Sequence, residues 1–226
     1  MFLKPYRTLL AALGPSHWWP GQNAFEIMVG AILTQNTSWK NVEKAIHTLK
    51  KEQALRPAFM HSLPMHTLAE KIRSSGYFNQ KARTLLSYLD WYSQYRYRPA
   101  LVLKRHNHSR GPIRKELLSI RGIGPETADS ILCYALQLPV FVVDAYTHRW
   151  IARYDPEAAR ASSGNYHLLQ EMVEREFRRR IPEADLAEHF NEFHALMVRL
   201  GNGYCKKKKP LCEDCPLNRQ CEKALT

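Results

Sequence analysis

The sequence has no run of about 18 consecutive apolar residues, the length that a membrane-spanning helix requires. An apolar stretch near the N-terminus, residues 8–13, is short for a secretion signal, and no typical cleavage site follows it. Internal repeats and low-complexity segments are also lacking, which excludes solenoid and disordered proteins. We therefore expect a globular protein of the cytoplasm that has no membrane partner.

Acidic residues are few compared with basic ones. The 226 residues include 21 Asp and Glu against 33 Lys and Arg, so the formal net charge is +12 and the isoelectric point is near 9.6. Such an excess indicates a polyanionic partner, most simply a nucleic acid. Apolar residues make up 45% of the chain, which is enough for a substantial core in one large domain or two small ones.

Cysteine is nearly absent until the last part of the chain. Only Cys133 precedes a group of four, which are Cys205, Cys212, Cys215 and Cys221. Cytoplasmic thiols stay reduced, so this density indicates a metal site rather than disulfides. Zinc and an iron–sulfur cluster both accept four thiolates. Zinc sites usually show two short C-x2-C pairs, however, and here only Cys212 and Cys215 are that close.

Apolar residues recur at three- and four-residue spacing along most of the chain, which predicts an all-α fold. Two such sets are Phe25, Met28, Val29, Ile32 and Leu33, and Phe190, Phe193, Met197 and Leu200. Residues 140–143 (Val-Phe-Val-Val) are the one segment that looks like a β-strand. Residues 93–112 are basic, aromatic and poorly periodic, so we predict a surface connection there.

A glycine-rich turn lies within residues 117–131, which read LLSIRGIGPETADSI. The pattern predicts one helix ending near Ile120, a tight turn with positive φ at Gly122 and Gly124, and a second helix that Pro125 opens. Ile123 would insert into the core between them. The exposed backbone N–H groups at the start of the second helix could receive a phosphate. A helix–turn–helix corner without a ligand is the alternative.

This glycine-rich segment resembles the helix-hairpin-helix of the endonuclease III superfamily of DNA glycosylases. The resemblance extends to Val142-Val-Asp144-Ala-Tyr-Thr-His-Arg149, Ile32-Leu-Thr-Gln35-Asn-Thr37 and Ile72-Arg-Ser-Ser-Gly76-Tyr-Phe-Asn-Gln-Lys-Ala82. The cysteine spacing C-x6-C-x2-C-x5-C is similar to that of the family's [4Fe-4S] loop. Together these motifs span roughly residues 18–222.

The resemblance implies two all-α lobes. One would cover residues 23–135, with the hairpin at 117–132. The other would combine residues 1–22 with 136–226 and end in a [4Fe-4S] loop at 205–221, with all four cysteines as ligands. The implied partner is double-stranded DNA that contains a damaged base, bound by a monomer associated with the nucleoid.

Asp144 matches the catalytic aspartate of the family. From the sequence alone it could equally be the cap of a helix that begins near Ala145. The two roles are compatible, because a helix N-terminus keeps a carboxylate ionised and glycosidic cleavage uses such a carboxylate to orient or deprotonate water.

Glu126 stands where bifunctional members of the family carry a lysine that forms a Schiff base with the sugar. A carboxylate cannot form an imine, so the chain is predicted to release a base without cleaving the strand. Glu126 lies near the active site only by its position in the family motif, and it could instead be a solvated residue of a first helical turn.

The predicted base pocket is aromatic. An adenine-mismatch enzyme of this family would need a glutamate where this chain has Ala31. Trp18, Trp19, Pro20 and Trp39 could stack on a flipped base, and they look like the 3-methyladenine DNA glycosylase III branch. Pyrimidine-directed glycosylases and a non-catalytic iron–sulfur DNA-binding protein remain as alternatives. The tryptophans could also be ordinary packing residues.

Further residues are predicted to contact DNA. By the resemblance, Gln35 enters the base stack and Tyr77 is the wedge on the opposite loop. The remaining predicted contacts are Lys81, Arg121, Gly122, Ile123, Gly124, Thr127, Lys206, Lys207, Lys208 and Lys209. Each of these has a purely structural alternative, such as a core ring for Tyr77 or a solvated charge run for the four consecutive lysines.

Overall fold

The computed structural model of the chain describes residues 1–16 and 18–225. Within this range the regular structure is helical throughout and contains no β-strand, which confirms the all-α prediction. None of the described helices is both long and apolar enough to cross a membrane. The helices α1 to α14 are Leu3–Leu13, Ala24–Leu33, Trp39–Lys51, Pro57–Ser62, Met65–Lys71, Phe78–Ser93, Pro99–Arg105, Arg110–Ser119, Pro125–Ser130, Ala145–Tyr154, Pro156–Ser162, Tyr166–Arg178, Leu186–Gly203 and Glu222–Leu225.

Many of the helix starts follow from local sequence. Side-chain oxygens of Asn23, Asp144, Asp155 and Asn165 accept backbone N–H groups in the first turns of α2, α10, α11 and α12. Proline occupies the first position of α4, α7, α9 and α11, where its fixed φ suits a helix and its missing N–H is not needed.

The chain divides into two compact units. The first combines Met1–Trp19 with Pro139–Thr226, and the second is Pro20–Leu138. The core of the first unit is aromatic: the ring of Phe177 lies 5.4 Å from that of Phe190 and 5.3 Å from that of Phe193. In the second unit the fully buried Tyr88 donates a hydrogen bond to the sulfur of Met28 at 2.7 Å.

Residues 140–143 look like a β-strand in the sequence, but they do not form one in the structure. The segment is extended and buried, as its apolar sequence requires, but it pairs with no other strand. Side chains of α12 and α13 bind its backbone polar groups instead. The apolar residues therefore predicted correctly that this segment is buried. The side chains that bind its backbone lie far away in the sequence, so the local pattern could not reveal them.

Residues 93–112 are mostly exposed or half-buried, as predicted for a surface connection, but the segment also contains α7 and the first turn of α8. Val102 in α7 is fully buried. Left-handed residues at Arg96, Tyr97, Asn107 and His108 bracket the seven-residue helix α7. Such a short helix between two turns does not produce a readable periodicity.

Candidate functional site

Asp144 is the N-cap of α10 and is 9% exposed. Its Oδ1 accepts hydrogen bonds from the backbone N–H and the hydroxyl of Thr147 at 2.8 and 2.9 Å. No hydrogen bond from the described residues reaches Oδ2. One carboxylate oxygen therefore caps the helix, whose dipole favours the anion, and the other remains able to accept a proton or orient a water molecule.

His194 is a neighbour of this carboxylate that sequence reasoning missed. It lies on α13 and is 6% exposed. Its Nδ1 is 3.1 Å from the carbonyl oxygen of Val142, which can only accept, so Nδ1 carries the proton. Its Nε2 lies 4.0 Å from Oδ2 of Asp144. Fifty residues separate the two side chains in the sequence, and no local pattern links them.

A polar stripe on α12 holds the segment that precedes Asp144. Its members recur every four residues and are Tyr166, Gln170, Glu174 and Arg178. Gln170 donates to the carbonyl of Phe141 at 2.6 Å, and Glu174 accepts the Phe141 N–H at 3.1 Å. Arg178 donates to the carbonyl of Pro139 at 3.1 Å. The four-residue spacing beside an apolar stripe was a signal in the sequence that could have revealed this role.

The hairpin joins α8 to α9, and Ile123 is buried in it as predicted. Gly122 has φ +90°, and a Cβ there would lie 2.2 Å from Oγ1 of Thr84, so only glycine fits. Positive φ at Gly124 was a wrong expectation, because its φ is −97°. Gly124 is the N-cap of α9, and nothing lies within 4 Å of where its Cβ would be, so the backbone there is open.

Two sets of contacts brace the hairpin. Arg114 of α8 forms a bidentate pair with the fully buried Asp129 of α9, at 2.6 and 3.1 Å. In the Gln35 loop (residues 34–38), the side-chain nitrogen of Gln35 donates to the carbonyl of Gly122 and to Oγ1 of Thr127, both at 2.9 Å. Gln35 and the buried Thr127, predicted separately as DNA contacts, are thus bonded to each other within the protein.

Glu126 and Arg121 are exposed beside the turn. Glu126 lies in the first turn of α9, where a carboxylate is favoured by the helix dipole. The position that carries a lysine in bifunctional members of the family therefore presents no amine.

The aromatic candidates differ in exposure. Tyr77 is 69% exposed and has φ +46° in the Tyr77 loop (residues 72–77), which leads into α6. Trp39 begins α3 and is half-buried. The half-buried rings of Trp18 and Trp19 have centroids 5.1 Å apart, and Pro20 is exposed. Trp18 and Trp19 belong to the first unit, whereas Pro20 and Trp39 belong to the second.

Lys81 is placed differently from the prediction of a phosphate contact. Its side chain lies in the interior of the second unit and is 2% exposed. The ammonium donates to the carbonyl oxygens of Leu33 at 2.8 Å and Ser75 at 2.6 Å. Burial lowers the pKa of Lys81 from 10.5 to about 8. The sequence pattern did not predict that Lys81 is buried, because lysine is seldom buried.

The four clustered cysteines line one cavity of about 30 Å³ in the first unit, together with apolar side chains such as Trp150 and Leu200. Burial is the main cause that raises the pKa of the Cys215 thiol, and the other three cysteines add to it. Among the described residues, no three His, Cys, Asp or Glu side chains are close enough to hold a single metal ion.

The lysine run at Lys206, Lys207, Lys208 and Lys209 is exposed. Its backbone is tied to α10, the helix that Asp144 caps. Arg153 donates to the carbonyls of Lys206 at 2.8 Å and Lys207 at 3.2 Å and reaches Sγ of Cys205 at 3.2 Å. Arg149 donates to the carbonyl of Cys205 at 2.8 Å. One helix therefore positions both the candidate carboxylate and the cysteine loop.

Comparison with known proteins adds to this geometry. Residues 29–182 match the family model described as HhH-GPD superfamily base excision DNA repair protein. A Methanocaldococcus jannaschii protein described as a putative DNA repair glycosylase is 40% identical over 98% of this chain and 96% of its own length. Endonuclease III of Thermotoga maritima is 26% identical over 88% of this chain and 82% of its own length.

A solved structure is also similar in sequence and shape. The 3-methyladenine DNA glycosylase MagIII of H. pylori, bound to 1,N6-ethenoadenine, superposes with a TM-score of 0.71 at 28% identity. The alignment covers 88% of this chain and 95% of that one. These matches agree with the motifs in the hairpin and around Asp144.

Proposed function

Because the chain belongs to the HhH-GPD superfamily of base excision DNA repair proteins, within the endonuclease III superfamily, we propose that it is a monofunctional DNA glycosylase. It would act as a cytoplasmic monomer on double-stranded DNA and remove a flipped, damaged base, with alkylated purines such as 3-methyladenine as the preferred class. The observation that carries the proposal is Asp144, whose Oδ2 receives no hydrogen bond from the described residues.

The chemistry needs few groups. A positively charged alkylpurine leaves as a neutral base when its bond to C1′ breaks, so no general acid is required. Asp144 stabilises the cationic sugar that forms, orients the water that attacks C1′ and accepts its proton on Oδ2. The hydrogen bonds from Thr147 and the fixed segment before Asp144 hold the carboxylate in place for this step.

The residues proposed to contact DNA divide by role. Gly122, Ile123 and Gly124, with Arg121 beside them, form the turn that approaches a phosphate, and Gly124 offers open backbone there. Glu126 is proposed to lie near the active site rather than to contact the phosphate. Gln35 and Tyr77 are proposed to fill the gap that the flipped nucleotide leaves. The exposed lysine run adds attraction that does not depend on sequence.

Stacking is proposed for Trp18, Trp19, Pro20 and Trp39. Electron-rich rings attract a cationic base by about 0.5–2 kcal/mol. A neutral pyrimidine gains less from the same rings, and this difference supports an alkylated purine as the substrate.

We propose that the four clustered cysteines bind a [4Fe-4S] cluster rather than zinc. Four thiolates around one zinc at about 2.3 Å would be about 3.8 Å apart. The four cysteines line one cavity, only Cys212 and Cys215 have the short spacing of a zinc pair, and a cluster binds each thiolate at a different iron. We propose Cys205, Cys212, Cys215 and Cys221 as its ligands. When bound, the cluster would fix the shape of the lysine loop.

A panel of duplexes tests the proposed substrate class. We expect the wild-type protein to release 7-methylguanine and 3-methyladenine analogues about five- to thirtyfold faster than uracil or thymine glycol, since cation–π attraction of about 1–2 kcal/mol favours the charged bases. Abasic sites are converted to strand breaks with alkali and quantified on gels. Faster release of a pyrimidine would replace the alkylpurine assignment, and release of no base would favour a non-catalytic DNA-binding protein.

The strand should remain intact after base release. Glu126 cannot form an imine, so borohydride added during the reaction should trap no covalent protein–DNA complex. Endonuclease III, treated in parallel on its own substrate, serves as the positive control. Trapped complex, or β-elimination products at the rate of base release, would show that another amine of this chain supplies lyase activity.

A further inference from the structure

Lys81 joins the two loops that carry the residues proposed to enter DNA. Leu33 is the last residue of α2 and directly precedes the Gln35 loop, and Ser75 lies within the Tyr77 loop. The Lys81 ammonium donates to both of their carbonyl oxygens, at 2.8 and 2.6 Å. The backbone N–H of Lys81 also donates to the carbonyl of Tyr77 at 3.0 Å, so the lysine lies one turn after the exposed ring.

Burial of this ammonium is unfavourable, since water would solvate the charge better than two carbonyl groups do. The lowered pKa of about 8 reflects that cost. An apolar side chain could fill the same interior space, but only a cation gives two charge-assisted bonds to two separate backbone segments.

Charged groups on the neighbouring elements are paired elsewhere. Glu70 binds Arg73 beside the Tyr77 loop, and Lys71 binds Glu52. Glu26 of α2 binds Lys50 at 2.7 Å, and the hairpin pair Arg114 and Asp129 is self-contained. Within the described range no ion pair includes Lys81, so the two carbonyl oxygens are what hold its charge.

The Gln35 loop is in turn bonded to the hairpin through Gly122 and Thr127. Hydrogen bonds therefore run from the Tyr77 loop through Lys81 to Leu33, directly before the Gln35 loop. The bonds from Gln35 to the hairpin hold its side chain in the free protein and break when that side chain enters DNA. We propose that Lys81 is a positioning residue that couples the Gln35 and Tyr77 loops, so that both side chains enter damaged DNA together. This rests on the proposed function, in which those two residues replace a flipped nucleotide.

Two variants, Lys81→Met and Arg83→Met, separate a positioning role of Lys81 from the general effect of removing a positive charge. Binding is measured to a duplex with a tetrahydrofuran abasic-site analogue and to the undamaged duplex. We expect Lys81→Met to lower the preference for the abasic duplex about tenfold and to leave undamaged binding and its salt dependence unchanged. Arg83→Met, an exposed charge two residues away, should weaken both complexes equally and reduce the salt slope by about 1.

A double-mutant cycle measures the coupling itself. Gln35→Ala and Tyr77→Ala are each made in the wild-type and the Lys81→Met backgrounds. If Lys81 couples the loops, each alanine variant should lose less affinity for the abasic duplex in the Lys81→Met background than in wild type. If the fold-loss in affinity of each double variant equals the product of the two single-variant losses to within about twofold, the sites are independent and the proposal is overturned.

The dependence on pH of the preference for the abasic duplex distinguishes a charged Lys81 from one that only fills space. As pH rises through about 8, Lys81 loses its proton, and the wild-type preference for the abasic duplex should fall while that of Lys81→Met stays flat. Between pH 8 and 10.5 the folded chain has released a proton that the unfolded chain still holds. The cost of burying Lys81 therefore falls as pH rises, and its contribution to the free energy of unfolding increases. Buried tyrosines such as Tyr6 and Tyr154, whose pKa values burial raises, act in the opposite direction at high pH, so the flat profile of Lys81→Met, which keeps those tyrosines, is the control for unfolding.

Outcomes for the inference and for the proposed function are distinct. A wild-type protein with no preference for the abasic duplex would contradict both. A wild-type preference that survives unchanged in Lys81→Met would overturn the coupling alone. If Lys81→Met does not fold, as judged by circular dichroism, Lys81→Gln replaces it in every assay with the same expected losses, because its shorter, uncharged amide cannot give charge-assisted bonds to both carbonyls.

Discussion

The Asp144→Asn variant is expected to bind DNA that contains an abasic-site analogue as tightly as wild type but to release damaged bases far more slowly. Asparagine keeps the side-chain oxygen that caps α10, so the Thr147 hydrogen bonds persist. It cannot take the proton of the attacking water and gives weaker stabilisation of the cationic sugar. We expect single-turnover base release to fall by about 10²–10⁴-fold.

Asp155→Asn is a matched control for this substitution. Asp155 caps α11 through the N–H of Ala158 at 2.9 Å, as Asp144 caps α10. Both variants should lose at most about 1 kcal/mol of stability, since asparagine and aspartate are nearly equal as caps. Base release should be normal in Asp155→Asn. Equal loss of activity in both variants, or normal activity in Asp144→Asn, would remove Asp144 from the mechanism.

The Cys215→Ser variant is expected to lose the proposed [4Fe-4S] cluster. Iron should fall from about four atoms per chain to near zero, because each corner of a [4Fe-4S] cluster needs its thiolate. Visible absorption should disappear with the iron. The loop of residues 206–209 should then lose its shape, and DNA binding should weaken even though every lysine remains.

Cys133→Ala is the control for this change. Cys133 is buried at 3% exposure in the other unit and is not a proposed ligand. The variant should lose some packing energy and keep its full iron content, measured by elemental analysis of protein purified without oxygen. A wild-type protein that holds one zinc and no iron would contradict the cluster, as would full iron in Cys215→Ser.

The fold class and the identity of the main candidates were predictable because they depend on residues that are near each other in the chain. Helical periodicity indicated the all-α class, and the cap at Asp144 follows from an acid directly before a helix. The hairpin pattern gave the turn and the buried Ile123. Gly124 shows the limit of such patterns, because its extended φ depends on its place as a helix cap rather than on its being glycine.

Contacts between distant residues decided the rest. A run of four apolar residues could not reveal that helix side chains would replace a strand partner around Asp144. His194 comes within 4.0 Å of Asp144 only because α13 packs against α10.

The sequence by itself determined which chemical groups this protein has: a carboxylate at a helix start, a glutamate in place of a lysine, four clustered thiols and an excess of positive charge. Only the tertiary structure decided which of the charged side chains are exposed to solvent and which are buried. Lys81 reads as one more basic residue of a solvated helix, yet it lies in the interior between two loop carbonyls. The reason is physical: side-chain burial depends on what packs around a residue, and for Lys81 those neighbours come from segments up to 48 residues away.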